Sequence, residues 1–143
     1  MTDLDRVAEL AASETGLCVV STSRTDGSSH ATVVNAGVLL HPDTGGEVVG
    51  FVARGSSRKL EHIERTGRCA LTFRRGWAWA GVEGPAEVIR PAPPPDEVDL
   101  PRLLRDVFTA AGGTHDDWDE YDRVMVAELR AAVLITPQRI IGR

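Results

Sequence analysis

Apolar positions follow two periods along this chain, and the changes between them mark its elements. Leu4, Val7, Ala8 and Ala11 recur at helical spacing, which predicts a short amphipathic helix over 3–13, ended by Gly16. The Val- and Thr-rich run from Leu17 to Ser23 reads as a strand. Asp26-Gly27 then signals a hairpin into a second, longer strand over Ser29 to Leu40. Gly37, inside that strand, marks a bulge or a close approach of another backbone. After a turn over 42–46, Glu47 to Ala53 forms a third strand.

The period then changes to helical. A helix opens at Ser56 and ends before Gly67, burying Leu60 and Ile63, with Ser56 or Ser57 as its cap. Cys69 to Arg74 is a fourth strand; Trp77 to Arg90 is a fifth, with a bend at Gly84-Pro85. Pro91 to Pro95 is a break. Leu100, Leu103, Leu104, Val107, Phe108 and Ala111 form a helical stripe closed by Gly112-Gly113. Asp117 and Glu120 make a capping box for a further helix that carries Trp118, Tyr121, Met125 and Leu129. Short strands follow over 131–136 and 139–141. Hairpin signals dominate and strands do not alternate with helices. The expected class is therefore α+β, mainly β, with an antiparallel sheet closed or half-closed into a small barrel that hides its edges, in one domain spanning 1–143.

Composition narrows the function. The chain has 143 residues, 42% hydrophobic and 26% charged, with a net charge of −5 and a pI near 5.3. That acidity argues against nucleic acid. No apolar run approaches the roughly 20 residues of a membrane helix, and the charged start Met-Thr-Asp-Leu-Asp-Arg does not read as a secretory signal. Cys18 and Cys69 sit in apolar runs and read as buried, reduced core residues of a cytoplasmic protein, a disulfide between them being the alternative. Against the acidic background, residues 54–75 hold seven basic and two acidic side chains, a local balance of +5. Lys59 is the only lysine. The segment Arg54-Gly55-Ser56-Ser57-Arg58-Lys59 joins a strand to a helix N-terminus, where unpaired N–H groups and the macrodipole favour an anion such as phosphate. An ordinary solvated basic helix face is the competing reading.

Other chemistry is thin. No Gly-x-Gly-x-x-Gly, Walker A or Gly-x-Ser-x-Gly pattern is present. His30, His41, His62 and His115 lack ligand spacing, so no metal is expected. Asp116-Asp117 reads as a helix cap rather than an acid–base pair, and neither cysteine as a nucleophile. Trp77 and Trp79 share one sheet face by their period of two, as core, as dimer interface, or as a wall for a planar ligand.

The order of these pieces resembles the split β-barrel flavin- and deazaflavin-binding family related to pyridoxamine 5′-phosphate oxidase. The resemblance rests on residues 28–35 (SSHATVVN), 54–59 (RGSSRK), 67–71 (GRCAL) and 81–88 (GVEGPAEV). The tail over 108–122 (FTAAGGTHDDWDEYD) is similar to the small actinobacterial branch assigned to coenzyme F420. It implies a homodimer with two cofactor sites at the subunit interface. It implies that Arg54, Ser56, Ser57, Arg58 and Lys59 form the phosphate turn, and that Thr32, Val33, Val34 and Asn35 line the ring system. Related proteins often carry proline and tryptophan in this last stretch, where this chain has Val34 and Asn35. Trp77 and Trp79 would reach the ring or tail from either subunit, with Arg139 and Arg143 as further partners for an acidic tail. The implied activity is hydride transfer, most simply as an F420-dependent reductase, because the arginine surplus suits an extended anionic tail. The alternatives are an FMN-dependent oxidase or reductase, and a non-catalytic flavin or haem binder. No general acid stands out; His30 and Tyr121 are the only tempting donors, and both read as structural.

Overall fold

The hairpin signals become antiparallel pairs. In the computed structural model, which describes residues 3–93 and 95–143, β1 (Leu17–Ser23) pairs with β2 (Ser29–Leu40) across the Asp26-Gly27 turn. Gly27 takes φ +86° there, and the Asp26 carboxylate accepts the Ser28 N–H and hydroxyl at 2.9 and 2.6 Å. β2 continues onto β3 (Glu47–Ala53). Met1, Thr2 and Pro94, the last inside the expected proline-rich break, lie outside the described residues.

Closure depends on β5 (Ala78–Ile89) changing partners. Residues 78–85 pair with β4 (Arg68–Arg75), which also pairs with β1; residues 86–89 pair with β6 (Ala131–Ile135). The change falls at Gly84-Pro85, where a Cβ on Gly84 would lie 2.0 Å from the Thr136 carbonyl oxygen. β6 also pairs with β3, so six antiparallel strands close into a barrel, and β7 (Arg139–Gly142) adds to β5. This is the expected antiparallel split barrel. Several boundaries shift by a residue or two from the sequence reading, and two of these shifts move candidate site residues. β5 begins at Ala78, leaving Trp77 in the β4–β5 turn at 89% exposure, and α2 (Arg58–Thr66) begins two residues later than Ser56.

Phe51, Phe73, Leu71, Val82 and Ile135 fill the interior, joined by Val7 and Leu10 of α1 (Leu4–Ser13) and by Leu60 and Ile63 of α2. Burial of each large side chain contributes about 1.5–3 kcal/mol. A second layer, α3 (Leu100–Ala110) and α4 (Trp118–Ala127), packs Leu103, Leu104, Val107 and Tyr121 against Leu134. β6 is consequently buried on both faces, which is why Ala131 to Ile135 is uniformly apolar. Asp3, Asp99 and Asp117 cap α1, α3 and α4 by accepting the N–H of Arg6, Arg102 and Glu120. Gly37 marks a close approach: its Cβ would stand 2.1 Å from the Ala110 carbonyl oxygen at the end of α3.

Cys18 and Cys69 are free and buried, and burial pushes both thiols up to about 12. At pH 8 neither forms thiolate in the folded chain, so a thiol reagent is expected to label both only on unfolding. A raised thiol pKa means the folded state holds protons that the unfolded state, with an ordinary value near 9, releases first. The stability these thiols contribute therefore falls as pH rises above about 9. Rapid labelling at pH 8 without denaturant would refute the assignment. Among the described residues no helix is long and apolar enough to cross a membrane, and no group of His, Cys, Asp and Glu is arranged to hold a metal.

Candidate functional site

The turn from β3 into α2 is held from two sides. Arg90 clasps Glu64 of α2 with two hydrogen bonds, at 2.9 and 2.8 Å, and donates a third to the Gly55 carbonyl at 3.0 Å. This pairing holds the Glu64 carboxyl below the usual carboxylate range. On the other side, the Gly55 N–H donates to the Glu128 carbonyl at the end of α4. Gly55 is required there, because a Cβ would lie 2.6 Å from the Leu129 carbonyl oxygen. Ser57 is the N-cap of α2 but makes no side-chain capping bond, which leaves its hydroxyl available to a ligand.

Two cavities flank this turn along β2. The larger, about 560 Å³, is lined by Val33, Val34 and Asn35 of β2, by Arg54, Ser57 and Lys59 of the turn, and by Arg130. Its far wall is Val107 and Phe108 of α3, Ala111 at the C-cap of α3, and Tyr121 and Met125 of α4. Contacts behind fix that wall. Phe108 and Trp118 both pack on Tyr121, at centroid distances of 5.0 and 5.3 Å, and the Tyr121 hydroxyl donates to the Leu104 carbonyl at 3.1 Å. Burial pushes the Tyr121 phenol up to about 12, so its proton stays in place. The Asn35 amide donates to the Thr15 carbonyl at 2.7 Å, closing the opposite corner. Burial, and then the neighbouring Arg130, hold Lys59 below the ordinary lysine value; an anion in the cavity would reverse the second effect.

The second cavity, about 510 Å³, is lined by Arg24, His30, Arg58, Glu61, His62 and Arg65. Positions 58, 61, 62 and 65 share one helix face by their spacing, whereas Ser57 and Lys59 face the larger cavity. The N-terminus of α2 therefore stands between the two. On β2, His30 of the second cavity lies three to five residues from Val33, Val34 and Asn35 of the larger, roughly 10–17 Å along the strand. Between and beside them are two polar atoms with no protein partner among the described residues, Thr32 Oγ1 and His30 Nδ1, both buried. His30 packs edge-on against His62 at 5.1 Å, and His62 Nδ1 meets the Thr22 hydroxyl at 2.8 Å. Desolvation, with Arg24, His62 and Lys59 nearby, lowers the His30 pKa, so the ring is neutral near pH 7.

Not all the expected residues share one space. Arg54, Ser57, Lys59, Val33, Val34 and Asn35 converge on the larger cavity, and Arg58 faces the second. Ser56 is exposed and lines neither; nor does Thr32, despite its buried hydroxyl. Trp77 stands out into solvent, and Trp79 lies on the outer face of the barrel near Gly81, which Ile141 also flanks. Within one chain neither tryptophan is a cavity wall. Arg139 pairs with Glu83 at 3.2 Å, away from both cavities. Sequence reasoning missed Arg130, Arg24, Phe108 and Met125. They come from a hairpin, two helices and the connection from α4 to β6, and tertiary packing brings them to residues 54–59.

Comparison with known proteins bears on the family and the fold. The family profile described as pyridoxamine 5′-phosphate oxidase matches residues 5–142. Among solved structures, the conserved hypothetical protein Rv2991 from Mycobacterium tuberculosis superposes with a TM-score of 0.72 at 19% identity, covering 99% of this chain and 84% of that one. A protein named F420 reductase gives 0.59 at 14% identity, covering 87% and 88%. A pyridoxamine 5′-phosphate oxidase-related, FMN-binding protein from Nostoc punctiforme gives 0.60 at 12%, covering 94% and 79%. At these identities the structural likeness is one of fold. The profile, which runs from α1 to β7 over the closed six-strand barrel, makes this chain a member of the pyridoxamine 5′-phosphate oxidase family.

Proposed function

We propose that this protein is an F420-dependent oxidoreductase working as a reductase in the cytoplasm, as a homodimer with its cofactor sites at the subunit interface. The observation that carries this reading is the run of cationic groups from Arg130 and Lys59 in the first cavity to Arg58, Arg24 and Arg65 in the second. One phosphate needs only the first group; a cofactor with an acidic tail uses both. The donor set fits such a ligand, as does the unpartnered His30 Nδ1, whose residue lines the second cavity.

When bound, the deazaflavin would supply hydride transfer to an electron-poor double bond. The chain's own residues bind, orient and exclude water. Val33 to Asn35 present the edge of β2 to the ring, and Phe108, Tyr121 and Met125 cover the other side. Arg54, Ser57, Lys59 and Arg130 hold the phosphate. The second reading, an FMN-dependent oxidase or reductase, draws on the family and on the FMN-binding structural neighbour. Titration with F420, FMN and FAD, read by tryptophan fluorescence, separates the two. Tight binding of F420 over FMN is the expected result; preference for FMN moves the chemistry to the flavin, and no binding removes both. Binding without turnover of any acceptor would make the protein a carrier.

The dimer is argued from an apolar row on the outer barrel face. Strand register lines up Val33, Val19, Thr72, Gly81 and Ile141 across five strands, and Val33 and Ile141 are 64% and 53% exposed. A second copy covering that row lies beside the larger cavity, because Val33 belongs to both. Val19→Asp puts a charge in the row, next to Val33, and is expected to give a folded monomer by sedimentation. A wild-type monomer would sink the proposal.

A further inference from the structure

Glu128 interrupts the positive rim of the larger cavity, and we propose that it is a specificity-determining residue that penalises dianionic phosphomonoesters relative to monoanionic phosphodiesters. The inference rests on the cofactor reading above and deepens it. Glu128 Oε2 lies 2.7 Å from an Arg54 nitrogen, and Oε1 accepts from Arg130 Nε at 2.9 Å. Both guanidinium groups line the cavity, as does Lys59. One carboxylate thus sits between two of the three cations that would hold a phosphate.

The helix does not account for an acid at this position. Glu128 is the C-cap of α4, whose last turn carries no basic residue, and a negative charge there opposes the macrodipole. Its position is nevertheless firmly set. The Glu128 N–H donates to the Val124 carbonyl at 3.0 Å, its carbonyl accepts the Gly55 N–H at 3.3 Å, and Leu129 follows at φ +51°, packed on Gly55. The carboxylate is therefore carried at the end of α4, which is hydrogen-bonded to the turn that presents Arg54. Each guanidinium has five donors and keeps several free for a ligand while Glu128 is engaged. What Glu128 changes is the charge around the anion, from +3 to +2 for the three cations and this one acid. Coulomb repulsion from it scales with the charge of the ligand, so a dianion is disfavoured twice as much on a logarithmic scale as a monoanion.

The test holds the ring constant and varies the charge. Wild type and Glu128→Gln are titrated at low salt and pH 8 with riboflavin, riboflavin 4′,5′-cyclic phosphate and FMN, and with F420. In the variant, riboflavin affinity is expected to stay unchanged, the cyclic diester to tighten about threefold, and FMN about tenfold. F420, itself a diester, should tighten at least about threefold, and all gains should shrink in high salt. Glu128→Met offers a second uncharged side chain of matching length if the glutamine variant fails to fold. An equal change for all ligands, or weaker binding of the charged ones, would give Glu128 a purely structural role and overturn the proposal. Failure of the wild type to bind F420 or any flavin overturns the cofactor reading itself, a distinct outcome.

Discussion

Lys59→Ala is expected to weaken F420 binding by about tenfold to a hundredfold, the ~1.5–3 kcal/mol of one charge-assisted hydrogen bond. The same loss is expected for FMN, because Lys59 lines the cavity assigned to the phosphate that both ligands carry. Arg58→Ala should behave differently. Its side chain faces the second cavity, so F420 binding should fall by a similar factor while FMN binding is spared. Equal losses for both ligands in Arg58→Ala would move the phosphate into the second cavity; unchanged affinity in both variants would remove the phosphate assignment. A pH profile adds a check. Burial and Arg130 depress the Lys59 pKa, so the empty site loses this charge at lower pH than an ordinary lysine does. Affinity in the wild type should decline as pH rises through that lowered value, and Lys59→Ala should abolish that limb.

Gly37→Ala is expected to destabilise the fold by about 3 kcal/mol and to damage the larger cavity at the same time. The added Cβ would stand 2.1 Å from the Ala110 carbonyl oxygen, 2.3 Å from its carbon and 2.7 Å from the Ala111 nitrogen. All three are backbone atoms, so no rotamer change relieves the clash and the end of α3 must lift. Val107, Phe108 and Ala111 of that end form the cavity wall. Gly46→Ala is the control. Its Cβ would meet nothing closer than 3.5 Å, and a surface change of this kind stays within about 0.5 kcal/mol. Chemical denaturation of the two variants together with ligand titration reads both effects. Equal stability would show that the approach of α3 to β2 is looser than the geometry describes.

Much of this molecule is legible in its sequence because the signals involved are local. The hairpin at Asp26-Gly27, the cap at Asp117, and the apolar stripe of α3 all depend on neighbours in the chain, and the structure places them as the spacing predicts. The turn from β3 into α2 was legible for the same reason: a strand end, Gly55 and a helix start bring Arg54, Ser57 and Lys59 together within six residues. Gly37 and Gly84 could be flagged as sites of close approach or bending, but not the backbone that approaches them. Ala110 and Thr136 lie 73 and 52 positions further along.

The tertiary structure decided how the charges divide. In the sequence, Arg58 and Lys59 are adjacent members of one basic run; on the helix, the ~100° step between them sends one to each cavity. Trp77 and Trp79 share a period of two, yet the turn takes Trp77 out of the sheet and leaves Trp79 on the outer face, since the strand begins one residue later than its pattern implies. Arg130 and Glu128 reach the β3–α2 turn only because β6 pairs with β3 and carries the end of α4 to Gly55. Local spacing determined the elements and the basic turn between β3 and α2. The composition of the site came from strand pairings between residues far apart in the chain, a long-range choice that no short window of sequence encodes.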